Sequence, residues 1–252
     1  MKKHFTLLLF AFCSLGALSQ PHVVAHRGYW RTDGSAQNSI TSFQKAASIG
    51  CWGSEFDVWL TADGVPVVFH DANVNGIRIE DTTYATLMNI QLKNGEFIPT
   101  LQQYLQEAQR WSDIRLIFEI KPHRNTKRDA LISELSVELI NKLGLDSRTD
   151  YISFSQNACK RLHELAPDAK VAYLSGDLTP QQVKEMGLTG IDYSIGTFDK
   201  HPEWPLEAKD LGLEVNVWTV DGEEGLSRFV QMQGIDIITT NDPEILLKMI
   251  KK

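Results

Sequence analysis

Short apolar runs alternate with amphipathic stretches of helical length along most of the chain. This alternation is typical of buried parallel strands joined by crossover helices. The apolar runs predict strands at Val23–His26, Gly53–Val58, Val65–Phe69, Arg115–Ile120, Tyr151–Phe154, Lys170–Leu174, Gly190–Tyr193, Glu214–Trp218 and Ile235–Thr239. The stretches between them predict helices at Ser39–Ile49, Leu101–Ser112, Asp129–Leu143, Gln156–Ala166, Thr179–Met186, Leu206–Leu211, Glu223–Gln233 and Pro243–Lys251.

The number of predicted strands is one too many for a (β/α)8 barrel. Thr61-Ala62-Asp63-Gly64 separates the second and third strands, and this link is too short for a parallel crossover, which needs a dozen or more residues. It suits a hairpin turn, so the third strand should return antiparallel above the barrel. We therefore predict an α/β fold, a (β/α)8 TIM barrel with an extra antiparallel hairpin strand after the second barrel strand.

The first residues have a different pattern from the rest of the chain. Lys2 and Lys3 precede an almost wholly apolar run, Phe5–Leu18, and this order is typical of a secretory signal peptide. We expect cleavage between Ser19 and Gln20. A membrane anchor is the competing interpretation, but about 14 apolar residues fall short of the roughly 20 that a spanning helix needs.

After this signal peptide of residues 1–19, we predict one barrel domain over residues 20–252. Without Lys2 and Lys3 the chain carries 23 basic and 32 acidic residues, a net charge of −9. Such a surface disfavours nucleic acid or an anionic membrane as the main partner. We expect an exported protein, periplasmic or extracellular, with no bound nucleic acid and no stable membrane insertion; its oligomeric state is left open.

Carboxylates interrupt the apolar runs where predicted strands end, which is where such barrels carry their chemistry. Glu55 and Asp57 are two apart on one strand, so both point into the barrel, and Glu119 ends another strand. Clustered carboxylates repel and are costly to bury unless a cation lies between them. Three oxygen ligands suit one divalent cation, Mg²⁺ or Ca²⁺. The alternative is a metal-free cluster paired with Arg27 and Lys121.

Two histidines are predicted at the same mouth, His26 at the end of the first strand and His70 after the hairpin strand. Hydrolysis needs one group that takes a proton from the nucleophile and another that gives one to the leaving group. Imidazole titrates near neutrality and can do either. A lone histidine is more often structural, but two beside a proposed metal site favour an acid–base pair.

Other side chains near the mouth are candidates for binding a substrate. Lys121 and Arg27 can neutralise an anion, a role that is compatible with pairing to the carboxylates. Trp218, at a strand end, either fills the top of the barrel or forms a flat apolar wall for a small alcohol. His123 is predicted on a loop near the mouth, where it could shape substrate choice.

Six segments resemble the successive motifs of the glycerophosphodiester phosphodiesterase family, in the expected order. They are Ala25–Gly28, Glu55–Val58, Asp63–Asp71, Asn94–Leu101, Phe118–Lys121 and Val217–Val220. Thr240–Pro243 resembles the closing motif, so the likeness covers residues 23 to about 246. Each motif alone is weak evidence for the family, whereas six motifs in register are strong evidence.

The resemblance implies a barrel enzyme that hydrolyses deacylated phospholipids to glycerol 3-phosphate and an alcohol. It implies metal at Glu55, Asp57 and Glu119, with His26 and His70 as the catalytic pair. No Ser or Cys in the matched motifs stands beside either histidine. We therefore expect the 2-hydroxyl of glycerol to attack first and form a cyclic phosphate, as related barrel phosphodiesterases are thought to do.

One motif departs from the family pattern. The chain has Ala36-Gln37-Asn38-Ser39 where the family usually has Pro-Glu-Asn-Thr, and Gln37 lacks the usual negative charge. The missing charge could alter metal affinity or the orientation of a neighbouring group, which bears on substrate and rate more than on reaction class. Two alternative functions remain at this point, a relative that cleaves intact phospholipid and a non-catalytic barrel that binds a phosphorylated ligand.

Overall fold

The computed structural model describes residues 20–251, so the predicted signal peptide lies outside the described residues. The strands are β1 (His22–Ala25), β2 (Gly53–Leu60), β3 (Pro66–Val68), β4 (Asn73–Val74), β5 (Ile77–Arg78), β6 (Arg115–Ile120), β7 (Thr149–Ser153), β8 (Val171–Tyr173), β9 (Gly190–Ser194), β10 (Glu214–Trp218) and β11 (Ile237–Thr240). The helices are α1 (Ile40–Ser48), α2 (Tyr84–Leu87), α3 (Leu101–Ala108), α4 (Thr126–Lys142), α5 (Gln156–Leu165), α6 (Pro180–Glu185), α7 (Ile195–Lys200), α8 (Trp204–Asp210), α9 (Gly222–Val230) and α10 (Pro243–Ile250).

Eight parallel strands close into a barrel in the described part of the chain. Their order around the ring is β1, β2, β6, β7, β8, β9, β10 and β11, and β11 pairs with β1 to complete it. Crossovers that contain helices connect the strands, as parallel pairing requires. The predicted TIM barrel is confirmed.

The extra strand is confirmed as well, and its position explains how it reaches the site. β3 pairs antiparallel with the end of β2, along Val58 to Leu60. Val58 also pairs with Ile120 of β6, so β3 lies on the edge of β2 that β1 occupies lower down. The last bond of this hairpin joins the N–H of Phe69 to the carbonyl of Asp57, at 2.9 Å. The following residue, His70, therefore lies level with the carboxylates of β2.

Alternation along β2 separates the outer core from the barrel interior. Phe56 points outward, and its ring lies 4.5 Å from that of Tyr104 on α3. Glu55 and Asp57 consequently point inward. A separate apolar cluster, which includes Val24 and Ile117, fills the interior below them. β2 is buried along its whole length because helices cover the outside of the ring and side chains fill the inside.

Candidate active site

The three carboxylates predicted as metal ligands come together inside the mouth of the barrel. Glu55 and Asp57 share one face of β2, and Asp57 is in register with Glu119 on β6. One oxygen from each residue lies within 4.8 Å of the other two, and all three residues are buried. Adjacent strands in register thus produce the cluster that the sequence spacing predicted.

Lys121 lies inside this cluster. Its ammonium nitrogen is 2.7 Å from Oδ1 of Asp57 and 2.8 Å from Oε1 of Glu119. Burial opposes a charge on this amine, but the two carboxylates outweigh it and raise the pKa of Lys121. The lysine is therefore a fixed cation that faces two of the three acids.

The three acids differ in how easily they carry a charge. Burial opposes ionisation of Asp57, but the cations around it, led by Lys121, hold the pKa of Asp57 well below its usual range. Burial raises the pKa of Glu119 to about 8, although Lys121 acts in the opposite direction. Burial, followed by the charges of Asp57 and Glu119, raises the pKa of Glu55 well above its ordinary value. A bound cation would stabilise the charged form of all three.

Glu55 also has an oxygen that nothing in residues 20–251 satisfies. Its Oε2 accepts the backbone N–H of Arg27 at 2.8 Å, whereas its Oε1 is buried without a hydrogen-bond partner. The backbone turns sharply here, with a left-handed φ of 57° at Arg27 and 75° at Gly28. A Cβ at Gly28 would lie 2.4 Å from Oγ of Ser42, so only glycine allows this close approach.

The Arg27 side chain approaches Asp57 at the carboxylate oxygen that Lys121 does not contact. Its Nε lies 3.7 Å from Oδ2 of Asp57, and one terminal nitrogen donates to Oε1 of Gln37 at 2.7 Å. The residue that departs from the family pattern is thus the neutral partner of this arginine. Because Gln37 brings no charge, the Arg27 guanidinium keeps its positive charge available to the site.

Asn38 is a site residue that the sequence analysis did not single out. Its Nδ2 donates to Oδ2 of Asp57 at 2.8 Å, and its Oδ1 accepts the backbone N–H of Asp57 at 3.1 Å. This two-point contact fixes the Asp57 carboxylate. The sequence analysis compared Ala36-Gln37-Asn38-Ser39 with the family's Pro-Glu-Asn-Thr only because of Gln37. The asparagine that the two segments share was the signal that could have identified Asn38.

His26 lies directly after β1, and its hydrogen bond settles which ring nitrogen carries the proton. Nδ1 lies 2.9 Å from Oδ1 of Asn241. Trp30 donates its indole N–H to that same oxygen at 2.8 Å, and the Asn241 amide nitrogen donates to Asp221 at 2.9 Å. Because an indole only donates and a carboxylate only accepts, the Asn241 oxygen must face His26. Nδ1 therefore carries the hydrogen, and Nε2 keeps a free lone pair.

Burial, followed by the positive charge of Arg27, lowers the pKa of His26 to about 4. His70 lies close enough to lower it further through its own charge. His70 is about one-third exposed, and its Nδ1 lies 2.6 Å from Oδ1 of Asp71. Burial also lowers the pKa of His70, although the negative charge of Asp57 acts in the opposite direction. The two imidazoles thus lie close enough for the charge of His70 to affect the pKa of His26, and the charge of Asp57 acts on both.

Trp218 lies at the end of β10 and is half-buried. Its indole N–H donates to the carbonyl of Asp192 at 2.8 Å, and its ring meets Phe154 edge-on at 5.6 Å between centroids. Both contacts fix the plane of the ring.

His123 does not lie at the surface of the mouth: its side chain is wholly buried, and Nε2 accepts the backbone N–H of Leu60 at 3.0 Å.

The fold and the site together define a barrel enzyme with an acidic centre that can hold a cation. The model of the glycerophosphoryl diester phosphodiesterase family matches residues 26–245. The chain belongs to this family, which confirms the resemblance and the enzyme class predicted from the sequence.

Individual relatives agree with this assignment. A glycerophosphodiester phosphodiesterase from Caldanaerobacter subterraneus is 28% identical over 246 residues, which cover 91% of this chain and 98% of the relative. The crystal structure of a glycerophosphodiester phosphodiesterase from Parabacteroides distasonis is 47% identical, with a TM-score of 0.91 over 93% of this chain and 98% of that one. A phosphodiesterase from Oleispira antarctica, solved with the product sn-glycerol-3-phosphate, shares the fold at 22% identity, with a TM-score of 0.78 over 92% of this chain and 98% of that one.

Proposed function

We propose that the protein is a metal-dependent enzyme that hydrolyses glycerophosphodiesters to glycerol 3-phosphate and an alcohol. The observation that carries this proposal is the pair of imidazoles, His26 and His70, beside a buried cluster of three carboxylates. The names of the relatives support the substrate class. Lys121, Arg27 and Trp218 also support it, because a lysine and an arginine can bind a phosphate and an aromatic ring can pack against a small alcohol.

The residues present fit one divalent cation, Mg²⁺ or Ca²⁺, held by Glu55, Asp57 and Glu119. Oxygen donors suit these hard cations, and the unpartnered Oε1 of Glu55 offers a ligand atom with no other role. With every group ionised, the three acids exceed Lys121 and Arg27 by one negative charge. A phosphodiester adds a second negative charge, and a divalent cation would neutralise the total of two. When bound, the cation would polarise a phosphoryl oxygen and neutralise charge that develops there.

The hydrogen bonds of the two imidazoles support distinct roles for them. In its neutral form His26 presents the lone pair of Nε2, which is what a general base needs. His70 would then protonate the alcohol that leaves, and the roles would reverse when water opens the cyclic phosphate. Among residues 20–251, the hydrogen bonds of these imidazoles go from Nδ1 to Asn241 and Asp71, and no serine or cysteine is bonded to either ring. This favours attack by the 2-hydroxyl of the glycerol group.

Three side chains would hold the substrate in place. Arg27 and Lys121 lie near different carboxylate oxygens of Asp57 and would bind the phosphate oxygens, with the guanidinium able to donate two parallel bonds. Trp218, fixed by Asp192 and Phe154, would pack against the carbon skeleton of the glycerol.

A hydrolysis panel tests this proposal. Glycerophosphodiesters with choline, ethanolamine and inositol head groups would be incubated with Mg²⁺, with Ca²⁺ and with a chelator, and glycerol 3-phosphate would be measured. We expect product from at least one diester with metal and a loss of activity on chelation that metal restores. Absence of glycerol 3-phosphate from every diester would contradict the proposed reaction, and full activity after exhaustive chelation would contradict the metal.

We further propose that the protein is exported and acts outside the cytoplasm, on the strength of its basic and apolar start. Within residues 20–251, no helix is both long and apolar enough to cross a bilayer. Protein recovered from the extracytoplasmic fraction of its host should begin at or near Gln20. An intact mass that still includes residues 1–19 would contradict cleavage.

A further inference from the structure

Trp59 is a buried tryptophan on β2 that lies outside the carboxylate cluster. It follows Asp57 by two residues on β2, where this strand rises above the barrel and pairs with β3. Its side chain is 6% exposed and belongs to a small apolar cluster, apart from the main core, that includes Val67 and Leu87. Trp59 thus lies between the barrel and the segment that carries His70.

The indole of Trp59 bonds directly to the backbone of His70. Its Nε1–H donates to the carbonyl oxygen of His70 at 3.0 Å. The hairpin ladder ends one residue earlier, at the bond from the N–H of Phe69 to the carbonyl of Asp57. The imidazole bonds to Asp71, whose own side chain is 71% exposed and so does not anchor it to the barrel. Among residues 20–251, the indole therefore makes the hydrogen bond that ties the backbone of His70 to β2.

Trp59 is itself held from its other side. Its ring meets that of His123 edge-on, with centroids 5.3 Å apart and planes at 71°. The buried His123 accepts the backbone N–H of Leu60, and its Nδ1 lies 3.3 Å from Oδ1 of Asp129, in the first turn of α4. A continuous set of contacts thus runs from α4 through His123 and Trp59 to the backbone of His70.

We propose that Trp59 is a positioning residue for His70, which sets where the imidazole meets the departing alcohol. This inference rests on the proposed function, in which His70 protonates that alcohol. Trp59 does not touch the substrate; it holds the backbone from which the acid extends. Displacing a catalytic group by about 1 Å can cost roughly 10²-fold in rate, so one hydrogen bond at this carbonyl matters to the reaction.

The leaving group gives a direct test. An alkyl alcohol needs a proton as it departs, whereas p-nitrophenol leaves readily as its anion. The single-turnover rate of alcohol release isolates the first step of the reaction. Trp59→Phe, which removes the indole donor and keeps an aromatic ring, should lower this rate about 10- to 100-fold for glycerophosphoethanolamine. For the p-nitrophenyl ester of glycerol 3-phosphate the rate should stay within about threefold of the wild type, since little general-acid help is needed.

Two comparisons separate positioning from a general loss of structure. The quantity compared is the ratio of the rate for glycerophosphoethanolamine to the rate for the p-nitrophenyl ester. Leu87→Ala leaves a cavity in the same apolar cluster but keeps the indole bond, so it should lower Tm without changing this ratio. In a His70→Ala background, adding Trp59→Phe should not change the ratio further, because residues that act as a unit are not additive. If Trp59→Phe does not fold, Trp59→Met offers an apolar replacement without a donor.

The outcomes distinguish this inference from the proposed function. A wild type that cleaves neither diester, or a His70→Ala variant that slows both substrates equally, would overturn the proposed role of His70 and the inference with it. If His70→Ala is selective for the alkyl diester and Trp59→Phe slows both equally, only the positioning role is wrong. A further fall in the ratio on the His70→Ala background would equally contradict action through His70.

Discussion

His26 and Asn241 are 215 residues apart in the chain, yet the Asn241 amide oxygen accepts a hydrogen bond from Nδ1 of His26 at 2.9 Å. The closing of the barrel brings β1 and β11 side by side, and each residue directly follows one of these strands. The contact therefore fixes the imidazole at the seam of the barrel. It also keeps Nε2 as the nitrogen that is free to accept a proton.

Removing this acceptor should damage catalysis without disturbing the cation site. Asn241→Leu keeps the volume but leaves Nδ1 unpaired, so we expect kcat to fall about 10²-fold, the lower end of what general acid–base help supplies. Cation affinity, measured by calorimetry, should be unchanged. Trp30→Phe is the matched control, because it removes the other donor to Asn241 while Asp221 still holds the amide. Equal losses in the two variants would argue against a special role for the His26 contact.

Replacing one carboxylate of the cluster should weaken cation binding and remove most of the activity. Glu55→Gln and Glu119→Gln each exchange a charged ligand oxygen for a neutral amide, which hard cations bind more weakly. Glu80→Gln is the matched control, since Glu80 is equally buried but pairs with Arg78 away from the cluster. We expect the calorimetric affinity for Mg²⁺ or Ca²⁺ to fall in both cluster variants and to stay unchanged in the control. Unchanged affinity in both cluster variants would remove these acids from the proposed metal site.

The affinity for the cation should rise with pH. Because burial raises the pKa of Glu119 to about 8, this carboxyl holds its proton at lower pH in the metal-free protein. A cation must displace that proton, and Glu55, whose pKa is also raised, holds a second one, so affinity should increase from pH 6 to pH 8 by at most about tenfold per unit for each proton displaced. Calorimetry at pH 7 in two buffers with different ionisation enthalpies would detect the released proton. Affinity independent of pH over this range would be inconsistent with a protonated Glu119.

A substrate without the 2-hydroxyl of glycerol tests the cyclic route. A pre-positioned hydroxyl can have an effective molarity of roughly 10⁵ M or more, so it should outcompete water for the phosphorus. The 2-deoxy diester, assayed under saturating metal, should bind as a competitive inhibitor and turn over at a small fraction of the parent rate. Turnover within a few-fold of the parent would mean that water attacks directly.

The barrel was predictable from sequence because its strands are buried on both faces and stand out as apolar runs. The four-residue turn from Thr61 to Gly64 identified the one strand that had to run antiparallel. The β4–β5 hairpin around Asn75 and Gly76 was not predicted, since strands of two residues are too short to show alternation. The four-residue helix α2 was missed for the same reason, since it is too short to show a helical period. The six-residue helix α7 was not predicted either.

Within the site, the charged residues were predictable, and the residues that hold them were not. Glu55, Asp57 and Glu119 are conspicuous because carboxylates are unusual inside apolar strands. Asn241 and Trp59 are ordinary residues whose partners lie across the fold or across a hairpin. Each matters because the tertiary structure places one particular atom within hydrogen-bonding distance of its side chain. A local sequence pattern does not indicate such a contact.

The measurement that tests the account most directly is the rate of glycerol 3-phosphate formation in His26→Ala, in His70→Ala and in the double variant. Each single variant should lose about 10²- to 10⁴-fold in kcat with the cation still bound, the usual worth of an acid or base. The double variant should be little worse than the poorer single one, because the two imidazoles serve one step as a unit. A single variant with a near-normal rate would contradict the account by removing that histidine from the mechanism.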